Sequence, residues 1–348
     1  MKDKKFKAVI IGASGYTGAE LIRILLNHPN VEIKSLLADS NAGKELAESY
    51  PHLANLGLPK LIKFEQENFK NVDVAFMCLP HGTTQQVALQ IPSHVKIIDI
   101  SADFRLNNLD EYAKWYGHKH QAPKLQKNAV YALTEINRDK IKKAGVIACP
   151  GCYPTSILLP LIPLIKKGLI KKTGIIADSK SGISGAGRKA VVGNLYTEIN
   201  ENLKPYGIAN HRHVSEIEQE LSIAAKSPVQ ITFTPQVVPI NRGMLSVIYV
   251  ENEKGVTAEK LKAELQKKYK DEKFVKIADG AYVPTIRDVA STNNALINVF
   301  ADRIKGRSII ISAIDNLTKG ASGQAVQNFN IAFNLPEDAG LNFTPVFP

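Results

Sequence analysis

Residues 6–25 read "FKAVIIGASGYTGAELIRIL", and this stretch decides the fold. Phe6 to Ile11 is an apolar, β-branched run that ends at a glycine, the pattern of a parallel strand buried on both faces. Residues 16–28, "YTGAELIRILLNH", carry apolar side chains at Leu21, Ile22, Leu25 and Leu26 on one helical face, and Pro29 stops the helix. Between strand and helix, "GASGYTG" sets Gly12, Gly15 and Gly18 in a tight loop. Glycines there allow close backbone approach, and the helix N-terminus offers free N–H groups to a pyrophosphate. The spacing is G-x-x-G-x-x-G rather than the commoner G-x-G-x-x-G. Its strand–loop–helix setting nevertheless points to dinucleotide binding through Gly12, Ser14, Gly15, Tyr16, Thr17 and Gly18.

The same grammar continues outward. "VEIKSLLA" (31–38), "VDVAFMCLP" (72–80) and "VKIIDIS" (95–101) are further buried strands. Strands alternating with helical patterns predict βαβ units and a parallel, Rossmann-type sheet, an α/β fold. From about residue 155 the pattern changes. "GIIADSKSG", "VQITFTPQVV", "GMLSVIYVE" and "ALINVFADRIKGRSIIISAID" surround helical stretches such as "TAEKLKAELQKKY". That predicts an α+β region with a mixed, largely antiparallel sheet, and residues 318–332 predict a last helix.

Composition sets limits. The 348 residues are 44% apolar and 22% charged, as in ordinary globular proteins. Three cysteines cannot build a disulfide framework, which fits a reducing compartment. No run approaches the roughly 18 apolar residues of a membrane span. The first apolar run ends in a glycine loop, not in the small-residue cleavage site of a signal peptide. The net charge of +11 comes from lysines dispersed as "KDKKFK", "KKGLIKK" and "KLKAELQKKYKDEK". They read as a solvated surface, and no basic run interleaves with aromatics as nucleic-acid binding would require.

After the second strand, "LLADSNAGK" offers Asp39, Ser40 and Lys44. An acidic residue there can hold a ribose 2′-hydroxyl, whereas a hydroxyl, free amides and an ammonium suit a 2′-phosphate. Ser40 and Lys44 therefore favour NADP(H), while Asp39 points the other way.

"CPGCYPTS" (149–156) holds Cys149 and Cys152 in C-x-x-C spacing. No second pair of ligands stands at zinc spacing, so a metal site is not expected. "SILLPLIPLIKKG" follows as an apolar helix with Pro154 in its first turn, so Cys152 sits at a helix N-terminus, where a thiolate is stabilised. Oxidation could bridge Cys149 to Cys152 if the loop flexes. A thiolate nucleophile needs an acid–base partner, and "ANHRHVSEIEQEL" supplies His211 and His213. Ser215 and Glu218 predict a capping box and a helix starting just after His213. In an extended segment the two imidazoles point to opposite sides, so one of them, His213, is expected to face Cys152.

Taken together, "GASGYTGAELIRIL", "LPHGTT", "IDISADFRL", "PGCYPTS", "SGISGAGR", "HRHVSEIEQ", "PINRGMLSV" and "DNLTKGASGQAVQNFN" resemble the N-acetyl-gamma-glutamyl-phosphate reductase family, of the aspartate-semialdehyde dehydrogenase-like class. The resemblance runs in order to about residue 330. It implies an NADP-binding domain over 1–151, completed by the C-terminal helix and tail 316–348, and a catalytic and dimerisation domain over 152–315. It implies that Cys152 attacks an acyl phosphate, that a thioester forms, and that NADPH reduces it to N-acetylglutamate 5-semialdehyde. The expected setting is a cytoplasmic step of arginine biosynthesis, carried out by a dimer or tetramer. Arg105 resembles a substrate-phosphate contact, Ser184 and Arg242 substrate contacts, and Ser181, Gly182, Asn316 and Gln324 cofactor contacts. Lys319 and Gly320 lie in the same last-helix motif. Position 149 is often asparagine in the family and is cysteine here. The alternatives are a sister acyl-phosphate reductase, acting on aspartyl phosphate or a carrier-linked aminoadipyl or glutamyl phosphate, and a non-catalytic dinucleotide-sensing or nucleic-acid-binding protein.

Overall fold

β1 (Phe6–Ile11) is an inner strand of a seven-stranded sheet in a computed structural model that describes residues 4–346. The other strands are β2 (Val31–Leu37), β3 (Leu61–Ile62), β4 (Val74–Met77), β5 (Lys96–Asp99), β6 (Ala129–Tyr131) and β7 (Val146–Ala148). Their order is β3-β2-β1-β4-β5-β7-β6, and every neighbouring pair is parallel. The order reverses between β1 and β4. That is the switch point where sheets of this kind open a crevice for ligands, and the glycine loop leaves β1 there.

Both faces of the sheet are covered. Val9, Ile11, Ala75, Met77 and Ile97 pack with Phe69 and Phe104 on one side. On the other, the helix Gly323–Ala332 brings Phe329 to within 5.9 Å of the rings of Phe6 and Phe76. Polar side chains fasten that helix. Asn330 Oδ1 lies 2.9 Å from His28 Nε2, and Asn328 donates to the Ala132 carbonyl (2.9 Å) and accepts from Thr134 Oγ1 (2.7 Å). Truncating the fully buried Phe329 to alanine would cost about 3–5 kcal/mol.

The first compact unit runs up to Gly151 and includes Ala321–Asn342. The second comprises Cys152–Gly320 and the segment from Phe343. Residues 316–320 and the final segment thus lie with the second unit, whereas the expectation put all of 316–348 with the first. The reason is local. The Gly243 N–H donates to Asn316 Oδ1 (2.7 Å), Gly320 N–H to the Asp315 carbonyl (2.9 Å), and Val346 N–H to the Ala290 carbonyl (3.3 Å). The expected domain limits also take in residues 1–3 and 347–348, which lie outside the described residues.

In the second unit the strands are β8 (Ile175–Gly182), β9 (Lys204–Pro205), β10 (Ile231–Val238), β11 (Met244–Glu251), β12 (Val275–Ile277), β13 (Ala295–Ala301) and β14 (Arg307–Ile314). They form a sheet in the order β12-β13-β14-β11-β8-β10-β9. β8 pairs with β10, and β12 with β13, in parallel; the remaining pairs are antiparallel. This is the mixed, largely antiparallel sheet expected. Alternation along β11 buries Met244, Ser246, Ile248 and Val250 and leaves Leu245, Val247, Tyr249 and Glu251 half-exposed. The helix Cys152–Lys166 lies within this unit's core, with every residue from Tyr153 to Ile165 buried. A helix apolar all round belongs in a core, and this one carries Pro160 and Pro163 inside it.

Candidate active site

The first unit provides a cofactor cradle. Gly12 has φ of +83°, and a Cβ there would sit 2.5 Å from the Cys78 carbonyl oxygen at the end of β4. At Gly18 a Cβ would meet the Gly12 and Ala13 carbonyl oxygens at 2.7 Å. Chain packing therefore dictates both. At Gly15 the nearest atom would be 3.6 Å away, so the missing side chain there leaves room beside the loop. Gly15 is also the N-cap of the helix Tyr16–Leu25, with no side-chain cap and no acidic residue in the first turn. That leaves first-turn N–H groups for an anion.

The adjacent turn carries Ser40, Asn41 and Lys44. Asn41 Nδ2 donates to Ser14 Oγ (3.3 Å), and Tyr50 Oη to the Ser14 carbonyl (3.0 Å), which ties this turn to the glycine loop. Ser40 and Lys44 are exposed. Asp39 Oδ1 accepts the Phe64 N–H at 2.9 Å, so the carboxylate is engaged by the chain after β3. This arrangement fits a nucleotide bearing a 2′-phosphate.

Arg105 is buried, 5% exposed, and donates from Nε to the Cys149 carbonyl (2.8 Å) and from Nη2 to the Ile100 carbonyl (3.0 Å). Its guanidinium thus braces the chain just ahead of Cys152. Nearby, Asp103 accepts from Gly82 N–H (2.7 Å), Thr84 N–H (3.0 Å) and Tyr112 Oη (3.0 Å), joining "LPHGTT" to "SADFR". Asp99 is fully buried, and burial together with the Asp103 charge pushes its carboxyl up to about 7. Cys149 is fully buried too, with Asn328 Nδ2 at 3.6 Å from its sulfur, and burial pushes its thiol up to about 12.

In the second unit Cys152 begins the helix Cys152–Lys166, as the sequence predicts, and its side chain is half-buried. Three hydroxyls hold the first turn of that helix from below. Ser156 Oγ donates to the Tyr153 carbonyl at 2.9 Å, and Ser246 Oγ lies 2.7 Å from both Ser156 Oγ and Ser179 Oγ. A serine has one hydrogen to give. Ser246 therefore donates to Ser156, and Ser179 to Ser246, a directed ladder of wholly buried groups. Above it, Tyr206 Oη donates to Tyr153 Oη (3.2 Å), which donates to the Gln236 carbonyl (3.2 Å). Burial, and then the charge of Cys152, raise the Tyr206 phenol to about 12.

The histidines depart from expectation. Residues 211–213 are not extended: Arg212 is αR, and the helix starts at His213 itself. The imidazoles consequently lie side by side, ring centroids 4.8 Å apart, and both pack edge-on to Tyr153 at 5.7 and 5.9 Å. The Ser215–Glu218 capping box does not form. Ser215 Oγ donates to the Arg212 carbonyl (2.8 Å), and Glu218 accepts the Ile231 N–H (3.1 Å). Instead His211 Nδ1 accepts the His213 N–H (3.2 Å), which leaves the proton of neutral His211 on Nε2. Burial, with the Arg212 cation second, lowers His211 to about 4.

The loop after β8 is tightly fitted. A Cβ at Gly182 would lie 2.8 Å from the Asn241 carbonyl oxygen, so packing requires glycine there. Ser181 Oγ donates to the Gly182 carbonyl (3.1 Å), and Asn316 Nδ2 to Ser184 Oγ (2.9 Å). Asn316 therefore spends its amide on Ser184 and Gly243. Arg242 Nη1 reaches Asp315 and Ser291 Oγ, each at 3.3 Å, and stays partly exposed. Gln324 is buried in the first unit's last helix. Sequence reasoning missed Tyr206, the serine ladder and Asp315, whose partners are distant in the chain and leave no local pattern.

Family models match both units. Residues 7–144 match the NAD binding domain of semialdehyde dehydrogenase, and 152–316 its dimerisation domain. Aspartate semialdehyde dehydrogenase II of Vibrio cholerae shares the fold, with a TM-score of 0.72 at 19% identity, covering 95% of this chain and 99% of that one. The enzyme from Candida albicans, solved with NADP, gives 0.67 at 19% identity over 94% and 98%. The two matched domains define a protein of the semialdehyde dehydrogenase class. Among curated proteins, the N-acetyl-gamma-glutamyl-phosphate reductase of Rhodospirillum rubrum is 48% identical over 350 residues, 99% of each chain. An Oryza sativa subsp. japonica protein named "Probable N-acetyl-gamma-glutamyl-phosphate reductase, chloroplastic" is 54% identical over 99% of this chain and 83% of its own. The chain belongs to the N-acetyl-gamma-glutamyl-phosphate reductase family.

Proposed function

We propose that this protein reduces N-acetyl-L-glutamyl 5-phosphate to N-acetyl-L-glutamate 5-semialdehyde and releases phosphate, as the names of its relatives describe. The observation that carries the reading is Cys152 at the first turn of a buried helix whose next residue, Tyr153, packs against two imidazoles and bonds a second phenol. Cys152 attacks the acyl carbon as thiolate, the carbon–oxygen bond to phosphate breaks, and a thioester remains. NADP(H), held by the glycine loop, Ser14, Ser40 and Lys44, supplies the reducing electrons when bound. First-turn N–H groups of the Cys152 helix are placed to hold the oxygen of the tetrahedral species. Neutral His211 has its one acceptor nitrogen occupied by a backbone N–H, so His213 is the group that takes up and returns the proton. Arg242 and Ser184 are assigned to the substrate. Arg105, bound to the Cys149 and Ile100 carbonyls, braces the loop, and its assignment to the substrate phosphate rests on the family resemblance.

The reaction is readily measured backwards, as phosphate-dependent reduction of NADP by the semialdehyde. Wild-type protein should turn over, and Cys152→Ala should fall below about one hundredth of it while still binding NADPH. A Cys152→Ala variant that keeps its rate would remove the thioester route. The relatives named above favour this acyl phosphate over a sister substrate. We assign the step to arginine biosynthesis and place it in the cytoplasm; the free cysteines fit a reducing compartment, and the plant relative is described as chloroplastic. Among the described residues no helix is long and apolar enough to cross a membrane. The half-exposed sheet face of Ile176, Leu245, Val247, Tyr249, Ile309 and Ile311 is proposed as the contact of a homodimer, in keeping with the matched dimerisation domain.

A further inference from the structure

We infer that Gly320 is a positioning residue for the nucleophile: with no side chain there, a π-helical turn seats its backbone against Cβ of Cys152 and fixes where the thiol stands. The turn is Thr318–Ser322. Turns of this kind are rare insertions that cluster at functional sites. A Cβ built at Gly320 would lie 2.7 Å from Cys152 Cβ, 3.2 Å from its Cα and 3.3 Å from the Asp315 carbonyl oxygen. The backbone at 320 is not left-handed, so what demands glycine is space, not conformation.

Neither side of the contact gives way freely. The turn is pinned by Asp315, wholly buried, whose Oδ1 accepts the N–H groups of Leu317 (2.8 Å) and Thr318 (3.1 Å) and whose Oδ2 accepts that of Ser291 (2.7 Å). Gly320 N–H returns to the Asp315 carbonyl at 2.9 Å, and Thr318 Oγ1 donates to the Thr292 carbonyl. On the other side the serine ladder holds the helix from its second residue onward. Carbon atoms pack at about 3.5–4.0 Å, so a methyl group at 320 must open the gap by roughly 1 Å. Cys152, at the end of its helix, is the part that moves. A displacement of that size at a reacting atom costs about 100-fold in rate.

The inference rests on Cys152 being the nucleophile, and its test separates the two. In Gly320→Ala, kcat of the reverse reaction should fall about 100-fold while NADP affinity, read by fluorescence titration, stays within about twofold. The rate of iodoacetamide labelling at Cys152, followed by peptide mass, should change with it. Urea midpoints are compared for wild type, Gly320→Ala, Cys152→Gly and the double variant. Gly320→Ala should destabilise less in the Cys152→Gly background, because the clashing Cβ has gone. If Gly320→Ala does not fold alone, the double variant should. Wild-type-like turnover and labelling in Gly320→Ala, or equal destabilisation in both backgrounds, overturns the inference. An active Cys152→Ala overturns the nucleophile assignment instead, and the unfolding cycle still reads the contact.

Discussion

Ser246→Ala removes the middle rung of the hydroxyl ladder under the nucleophile helix. Ser179 then loses its only acceptor in the ladder, and a buried donor left without a partner costs about 1–3 kcal/mol. Ser156 keeps the Tyr153 carbonyl and loses only an incoming donor, a smaller penalty of about 0.5–1 kcal/mol. The lost oxygen leaves too little space for a cavity term to dominate, so the sum is about 2 kcal/mol. For a unit of this size that lowers the melting temperature by roughly 4–8 °C. Urea unfolding followed by circular dichroism measures it. The ladder's direction adds a sharper expectation: Ser179→Ala together with Ser246→Ala should cost no more than Ser246→Ala alone, because the orphaned donor has been removed too. A double variant that loses the sum of the two singles, or a Ser246→Ala loss under about 0.5 kcal/mol, would refute the reasoning.

Asp39→Asn keeps an oxygen for the Phe64 N–H and removes the charge, so the preference for NADPH over NADH should hold or rise in steady-state kinetics; a switch of about tenfold against NADH binding would mean the carboxylate serves a ribose hydroxyl. His213→Asn should lower kcat more than His211→Asn, and the reverse ranking would return the base role to His211. His211 titrates near 4 when folded against 6.5 when free, so the unfolded chain takes the proton first and stability declines as pH falls from about 6.5 towards 4; urea midpoints across that window should slope less in His211→Asn. Cys149→Ser should keep most activity, and dilute peroxide should add oxygen to Cys152 at the same rate in both proteins, since the buried thiol near 12 makes a poor disulfide partner; loss of two hydrogens from wild type alone would restore the bridged pair.

Much of this was legible from local pattern. The buried run at Phe6–Ile11, the glycine loop and the helix after it need only neighbours in the chain, and so does Cys152 ahead of an apolar helix. The histidine turn was not legible. Ser215 and Glu218 satisfy the capping pattern, yet Glu218 goes to Ile231 on β10, a partner no local rule contains, and an αR Arg212 starts the helix early. Gly182 and Gly320 show the same limit. Each is glycine because distant backbone or a distant Cβ occupies its side-chain space, which spacing alone cannot distinguish from a ligand-binding turn.

The second sheet ends in very short strands. At one edge is β12, three residues; at the other is β9, two residues, Lys204 and Pro205, the second of which has no N–H to offer. Neither rim presents the long flat ladder of free donors and acceptors on which another chain could polymerise. Crowded in a cell or concentrated in a tube, this unit therefore offers little edge on which strands could add one after another, and it should resist fibril formation.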